Sequence, residues 1–229
     1  MIVSHRHRFI FVKTLKTAGT SIEQALARHC GPEDVVTPIF PPVEDHAPRN
    51  WRGLFAPWRG VRSRADLSKN LRELAQARRF YNHIPARFAR ARLPARVWDG
   101  YLTFCVERNP WDKTLSHYHM FRNADWHRHH DPGLTLDGYL AKGVFCRNAP
   151  FYCDADGRVI VDRVLPYDRL AEALAELMEE LGLPFEGLPR AKAGLRADRR
   201  SHREVFAPAQ RRLIEHAFAD EIALHGWEY

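Results

Sequence analysis

The sequence predicts an α/β fold: a central, mainly parallel sheet flanked by helices. Two observations predict it. Short runs rich in β-formers stand at residues 9–12, 101–106 and 159–165. Each run is followed by a segment whose apolar residues recur at helical spacing, and strands that alternate with helices need crossovers, which make neighbouring strands parallel.

The elements follow in order. Phe9, Ile10, Phe11 and Val12 read as a buried strand. A polar loop, 13–19, leads to Ile22, Ala25, Leu26 and Cys30 at helical spacing, stopped by Gly31 and Pro32. Residues 31–66 are broken by prolines and carry Trp51 and Trp58 among arginines, an irregular excursion rather than a linker. Helices are expected over 68–81 and 85–93. A second strand, 101–106, runs into a helix over 111–121 with Trp111, Leu115 and Tyr118 on one face. His117 and His119 are assigned to its surface. A polar, His-rich loop over 122–134 and a short helical piece over 136–140 follow. Asp156 and Gly157 signal a turn before the strand at 159–165. The strongest helical stripe is Leu170, Leu174, Leu177, Met178 and Leu181, closed by Gly182. Pro208 opens a last helix with Leu213, Ile214, Ala217 and Phe218 on its buried face.

A chain of 229 residues suits one domain, 1–229, with the excursion at about 31–66. Its net charge of +7 favours anionic partners without choosing among nucleotides, nucleic acid, acidic sugars and membrane surfaces. The four cysteines have no CxxC spacing and read as free thiols. The longest apolar run near the start is too short for a signal or an anchor, and no segment reaches membrane-spanning length, so a cytoplasmic protein is expected.

In such folds ligands sit at the carboxyl ends of strands, which singles out two turns. The first reads Lys16, Thr17, Ala18, Gly19, Thr20, Ser21. Small residues let backbone N–H groups approach an anion, the helix start adds its dipole, and Lys16 adds charge. The nucleotide-triphosphate loop needs GxxxxGK[ST], whereas Lys16 precedes the lone glycine, so magnesium–ATP chemistry is poorly supported. The plainer alternative is a helix start capped by Thr20 or Ser21. The second turn places Arg108 at a strand end, Pro110 at the helix start and Ser116 eight residues after the arginine. An arginine fork can clamp a phosphate and a serine can add a hydroxyl bond; alternatively Arg108 serves a salt bridge.

Together, and in this order, the two turns resemble those of sulfotransferases that use 3′-phosphoadenosine 5′-phosphosulfate (PAPS). The type is the carbohydrate sulfotransferases, heparan sulfate 2-O- and chondroitin-type, with their bacterial relatives. Residues 12–22 look like the 5′-phosphosulfate loop, with Leu15 where the family commonly has proline. Arg108 and Ser116 look like the 3′-phosphate motif. Residues 82–85, 167–170 and 220–229 resemble later landmarks. The resemblance implies a P-loop-like sulfotransferase fold, PAPS as donor, a hydroxyl acceptor of the carbohydrate class, and no metal.

It also implies roles. Lys16 and the loop N–H groups would stabilise charge on the leaving oxygen, with Thr17, Ala18, Gly19, Thr20 and Ser21 holding the phosphosulfate. A histidine between the motifs serves as general base, and His83 occupies that region; His46 is the second candidate. Trp51 and Trp58 with nearby arginines could bind the acceptor or simply pack. Arg196, Arg199, Arg200 and Ser201 could close over the donor or remain solvated. His127, His129, His130 and Asp131 could ligate a metal, although a solvated loop fits their spacing better. Two other classes stay open: a P-loop-like kinase, for which the Gly-Lys-Ser/Thr step is missing, and a basic nucleic-acid-binding protein, for which no motif is found.

Overall fold

The computed structural model describes residues 1–44, 46–189, 198 and 200–229. The chain opens with β1 (Ile2–Ser4) and β2 (Phe9–Phe11), then α1 (Gly19–Ala27), β3 (Val35–Val36), α2 (Arg64–Ala75), α3 (Ala86–Arg92) and α4 (Ala95–Trp98). Next come β4 (Leu102–Glu107), α5 (Pro110–Asn123), α6 (Leu136–Ala141), α7 (Ala149–Tyr152) and β5 (Arg163–Pro166). A 3-10 turn, Tyr167–Arg169, leads into α8 (Leu170–Glu180), followed by α9 (His202–Val205), α10 (Pro208–Ala217) and α11 (Ala219–His225).

The five strands form one sheet in the order β3-β1-β2-β4-β5. β2, β4 and β5 run parallel, with Phe9 opposite Leu102 and Cys105 opposite Val164. β1 is antiparallel to both its neighbours, so β3 runs with the other three. This is the α/β architecture that the alternating pattern predicts. β2 is apolar at every position and β4 nearly so, with Thr103 and Glu107 as buried exceptions, because both faces are covered; β5, at the sheet edge, exposes Arg163 and Pro166. Alternate side chains serve alternate faces: Val3, Ile10, Val12 and Cys105 pack against Phe88, Leu93, Trp98 and Tyr152. Ile2, Phe9, Phe11, Phe104 and Val106 pack against Ile22, Leu26 and the α8 stripe of Leu170, Leu174, Leu177 and Met178. Each such side chain contributes about 1.5–3 kcal/mol by leaving water. Beyond the sheet, α5 builds a third cluster with α6 and α10 through Trp111, Leu115, Phe121, Tyr139, Ile214 and Phe218.

Several boundaries move. The third predicted strand narrows to Arg163–Pro166, and Val159 instead forms a lone bridge with Cys153. α2 starts four residues before the predicted 68–81 segment because Ser63 caps it, accepting from the Asp66 N–H at 3.1 Å. Within 31–66 the chain contributes β3, and Val36 exchanges hydrogen bonds with Arg49. Trp51 packs on the core, whereas Trp58 is 71% exposed. Leu213 faces solvent rather than the core. His117 and His119, expected at the surface, are buried, because α5 is covered on nearly all sides. The four cysteines are free and buried. No helix of the described residues is long and apolar enough to cross a membrane.

Candidate functional site

The loop from β2 to α1 lies beyond the carboxyl end of its strand, and the protein grips it by its carbonyl groups. The Lys13 carbonyl accepts from His83 Nδ1 at 3.1 Å. Leu15 is held at both polar atoms by the buried Asn148 side chain: its N–H donates to Oδ1 at 2.9 Å and its carbonyl accepts from Nδ2 at 3.0 Å. The Lys16 carbonyl accepts from Arg108 Nη1 at 3.0 Å. Thr14 Oγ1 donates to the Val106 carbonyl and meets Thr17 Oγ1 at 2.8 Å. Lys16 and Ala18 both take positive φ, 62° and 57°.

α1 then starts at Gly19 with no side-chain cap and no acidic residue in its first turn. The capping alternative for Thr20 or Ser21 is therefore not realised. The N–H groups of Gly19, Thr20 and Ser21 have no acceptor within the helix, which gives the helix start its affinity for anions. Gly19 has a second reason to be glycine. A Cβ there would stand 2.7 Å from Lys13 Cγ, and the Lys13 side chain cannot yield.

It cannot yield because it is part of a buried ion network. Lys13 Nζ bonds Glu23 Oε2 at 2.5 Å, and Glu23 also pairs with the amino group of Met1. Glu23 is fully buried, yet the Met1 ammonium and Lys13 outweigh its desolvation and hold its carboxyl down at about 2. The loop thus carries two lysines with different situations: Lys13 is buried and committed to Glu23, while Lys16 is partly exposed.

A second buried network lies behind the loop. Lys113 Nζ bonds Glu107 at 2.9 Å and Glu221 at 2.6 Å. Glu221 Oε1 accepts the N–H groups of Asn148 and Ala149, and Glu107 Oε1 accepts from Asn148 Nδ2 at 2.9 Å. Burial, with Glu221 beside it, pushes the Glu107 carboxyl upward against the pull of Lys113. The network fixes Asn148, and Asn148 fixes Leu15.

At the second turn, Asn109 caps α5 by accepting from the N–H groups of Trp111 and Asp112. Arg108 is nearly buried, lies over the Tyr167 ring at 4.0 Å, and is paired with Asp112 Oδ2 through Nε and Nη2, each at 2.7 Å. Of its five donors these two and the Nη1 bond to Lys16 are used, so two remain. Asp112 and Ser116 stand one turn apart on one side of α5, and Arg108, two residues before the helix, bonds Asp112.

Both histidine candidates couple to the first ion network. His83 Nδ1 must carry the proton, because its partner is a carbonyl, and Nε2 is left as the acceptor. Burial and the neighbouring Lys13 charge push its pKa down to about 3. His46 Nε2 donates to the Thr37 carbonyl at 2.8 Å, and Thr37 Oγ1 meets Met1 and Glu23. His46 Nδ1 is buried with no hydrogen-bond partner among the described residues, and burial lowers its pKa.

The structure brings Lys16, Thr17, Ala18, Gly19, Thr20, Ser21, His83 and Arg108 around one loop. Arg196 and Arg199 lie outside the described residues; Arg200 pairs with Asp198, and Ser201 forms a capping box with Glu204. His127 and His129 pack on Phe121, and no metal-holding group of His, Cys, Asp or Glu occurs among the described residues. Sequence reasoning missed Lys13, Glu23, Glu107, Lys113, Asn148 and Glu221. Asn148 and Glu221 act on residues more than seventy positions away, and no local pattern marks such a pair.

No family model matches this chain. It is 35% identical over 107 residues to an uncharacterized protein of Archaeoglobus fulgidus, covering 45% of this chain and 86% of that one. Among solved structures it is similar to a sulfotransferase from Alicyclobacillus acidocaldarius at 18% identity and a TM-score of 0.40, covering 98% of this chain and 97% of the other. By identity and coverage, the chain belongs to the same family as the uncharacterized archaeal protein.

Proposed function

We propose that this protein is a sulfotransferase that moves a sulfuryl group from PAPS to an acceptor hydroxyl on a carbohydrate. One observation carries the reading: an uncapped helix start after a strand, its loop gripped by its carbonyls, with Lys16 in the loop and Arg108 bonded to it. That arrangement suits a phosphosulfate and offers nothing like the glycine-lysine step of triphosphate binding.

The donor residues fit the group. Thr17, Ala18, Gly19, Thr20 and Ser21 would hold the 5′ end through backbone N–H groups and hydroxyls. Lys16 would stabilise the negative charge that grows on the leaving oxygen. The two remaining Arg108 donors and the Ser116 hydroxyl would hold the 3′-phosphate, with Arg108 retaining Asp112. PAPS supplies an activated sulfuryl group when bound, and in-line displacement leaves the protein the tasks of positioning and charge stabilisation.

His83 would take the acceptor proton at Nε2, since Nδ1 is committed to the Lys13 carbonyl. A pKa of about 3 makes it neutral but a weak base in the free protein. An anion bound at the neighbouring loop raises a histidine pKa, so donor binding would bring His83 toward its working range. The reading therefore predicts a higher apparent pKa in bound protein than in free protein, measured by NMR titration of the His83 ring with and without adenosine 3′,5′-bisphosphate. An unmoved His83 pKa would remove it from the role.

The deciding experiment is calorimetric titration with adenosine 3′,5′-bisphosphate, 5′-AMP and magnesium–ATP. Preference for the bisphosphate is expected. Preference for magnesium–ATP, or no nucleotide binding by folded protein, overturns the reading.

A further inference from the structure

A cavity of about 290 Å³ lies at the end of the sheet opposite the loop; its walls include His5, Arg79, Phe80, Arg96, Val97 and Tyr101. His5 follows the last residue of β1, and Tyr101 precedes the first residue of β4. β1 is antiparallel to β2, and Phe9 of β2 stands opposite Leu102 of β4. The cavity therefore sits at the amino ends of β2 and β4, whereas the loop site lies beyond their carboxyl ends.

Its charge is one-sided. Two arginines and a histidine line it, and no Asp or Glu does. Arg79 gives Nη2 to the Arg92 carbonyl at 2.7 Å and stacks its guanidinium over Phe80 at 5.1 Å. Its Nε is buried with no hydrogen-bond partner among the described residues. Burial weakens its hold on its proton, and no neighbouring charge offsets that. The nearby Asp34 carboxylate is engaged elsewhere, by Ser4 Oγ and the N–H groups of His5, Arg6 and Gly31. His5 Nδ1 meets the Tyr101 hydroxyl at 3.0 Å. Arg79 is half-buried, its Nε has no partner among the described residues and no carboxylate lines the cavity, so an anion bound beside the guanidinium is favoured. Phe80, Val97, Leu93 and Pro94 supply apolar wall for the remainder of a ligand. The volume lies at the low end for ligand sites, so the ligand is small.

We infer that this cavity is a second anion site, separate from the loop, for a small organic oxyanion whose charge meets Arg79 and Arg96 and whose apolar body lies against Phe80 and Val97. It does not depend on the sulfotransferase reading. Phenyl phosphate is the probe, with benzoate and inorganic phosphate as further arms that separate ester, carboxylate and free ion. Calorimetry is run on wild type, Arg79→Gln, Arg96→Gln and Lys16→Ala. Phenyl phosphate or benzoate is expected to bind wild type and Lys16→Ala alike and to bind both arginine variants at least about tenfold more weakly, as loss of a charged hydrogen-bond donor implies. Should Arg79→Gln fold poorly, Arg96→Gln decides, because Arg96 is exposed. The site is refuted if no probe binds, if binding is unchanged in Arg96→Gln, or if binding disappears only in Lys16→Ala.

Discussion

The two strand-to-helix turns are built on opposite plans. At the first, charge is neutralised behind the loop: Lys13 is tied to buried Glu23, and the backbone is held in place by His83, Asn148 and Arg108. At the second, charge is neutralised within the turn itself, by the Arg108–Asp112 pair. An anion at the first turn meets a framework already in place. An anion at the second must share an arginine with a carboxylate. Under the proposed function the first turn would serve positioning, and the second would discriminate between ligands with and without a second phosphate.

The sharpest way to break this comparison is to treat the two loop lysines as equals. If Lys16 stabilises the leaving oxygen as proposed, Lys16→Ala lowers turnover about 100-fold or more and costs less stability than removal of the buried Glu23. Glu23→Ala is expected to do the reverse in kind. It leaves Lys13 and the Met1 amine buried without their partner, at about 3–5 kcal/mol. A chain of this size loses roughly 2–4 °C of Tm per kcal/mol, so the midpoint falls by roughly 10 °C. Thermal unfolding and sulfuryl-transfer assays on both variants check the pair; equal effects on stability would erase the distinction.

Acid comes next in size. His117 is buried against Tyr139 at 2.8 Å, and burial pushes its pKa down to about 3, as it does for His83. A group whose folded pKa is depressed contributes stability that is present above its unfolded pKa and lost as pH falls through the folded value. For these histidines the window runs from about 6.5 down to about 3. For Glu23 it runs from 4.5 down to about 2. Tm should therefore begin to fall below pH 6.5, before carboxylates titrate. His117→Phe, which keeps a ring against Phe121, should flatten the decline between pH 6.5 and 4 by on the order of a few kcal/mol. An unchanged profile in that variant would assign the acid sensitivity elsewhere.

The same contrast explains what the sequence could disclose. β2, β4 and the α8 stripe are legible because strands covered on both faces demand nearly continuous apolar runs, and a one-sided helix demands spaced leucines. β1 and β3 are illegible because their apolar runs are only three and two residues long against four at 9–12, and they exist only through pairing. α5 defeats pattern reading in another way: a narrow stripe through Asp112, Ser116, Met120 and Asn123 is not buried, and His117 and His119 lie off it. The loop residues announce themselves locally, since lysine, small residues and a helix start are contiguous. Asn148 and Glu221 do not, because each acts on atoms more than seventy positions away in the chain.

The smallest effect tests the second turn directly. In Asp112→Asn the carboxylate opposite Arg108 becomes a neutral amide of nearly the same shape, able to accept from Nε but without charge. If Asp112 competes with a 3′-phosphate for the guanidinium, its neutralisation should tighten adenosine 3′,5′-bisphosphate binding a few-fold. It should leave 5′-AMP binding unchanged, because 5′-AMP brings nothing to Arg108. Were Asp112 instead needed to orient Arg108, the same substitution would weaken bisphosphate binding. Calorimetry with the two nucleotides separates the cases, and equal changes for both would mean that the second turn does not read the 3′ position at all.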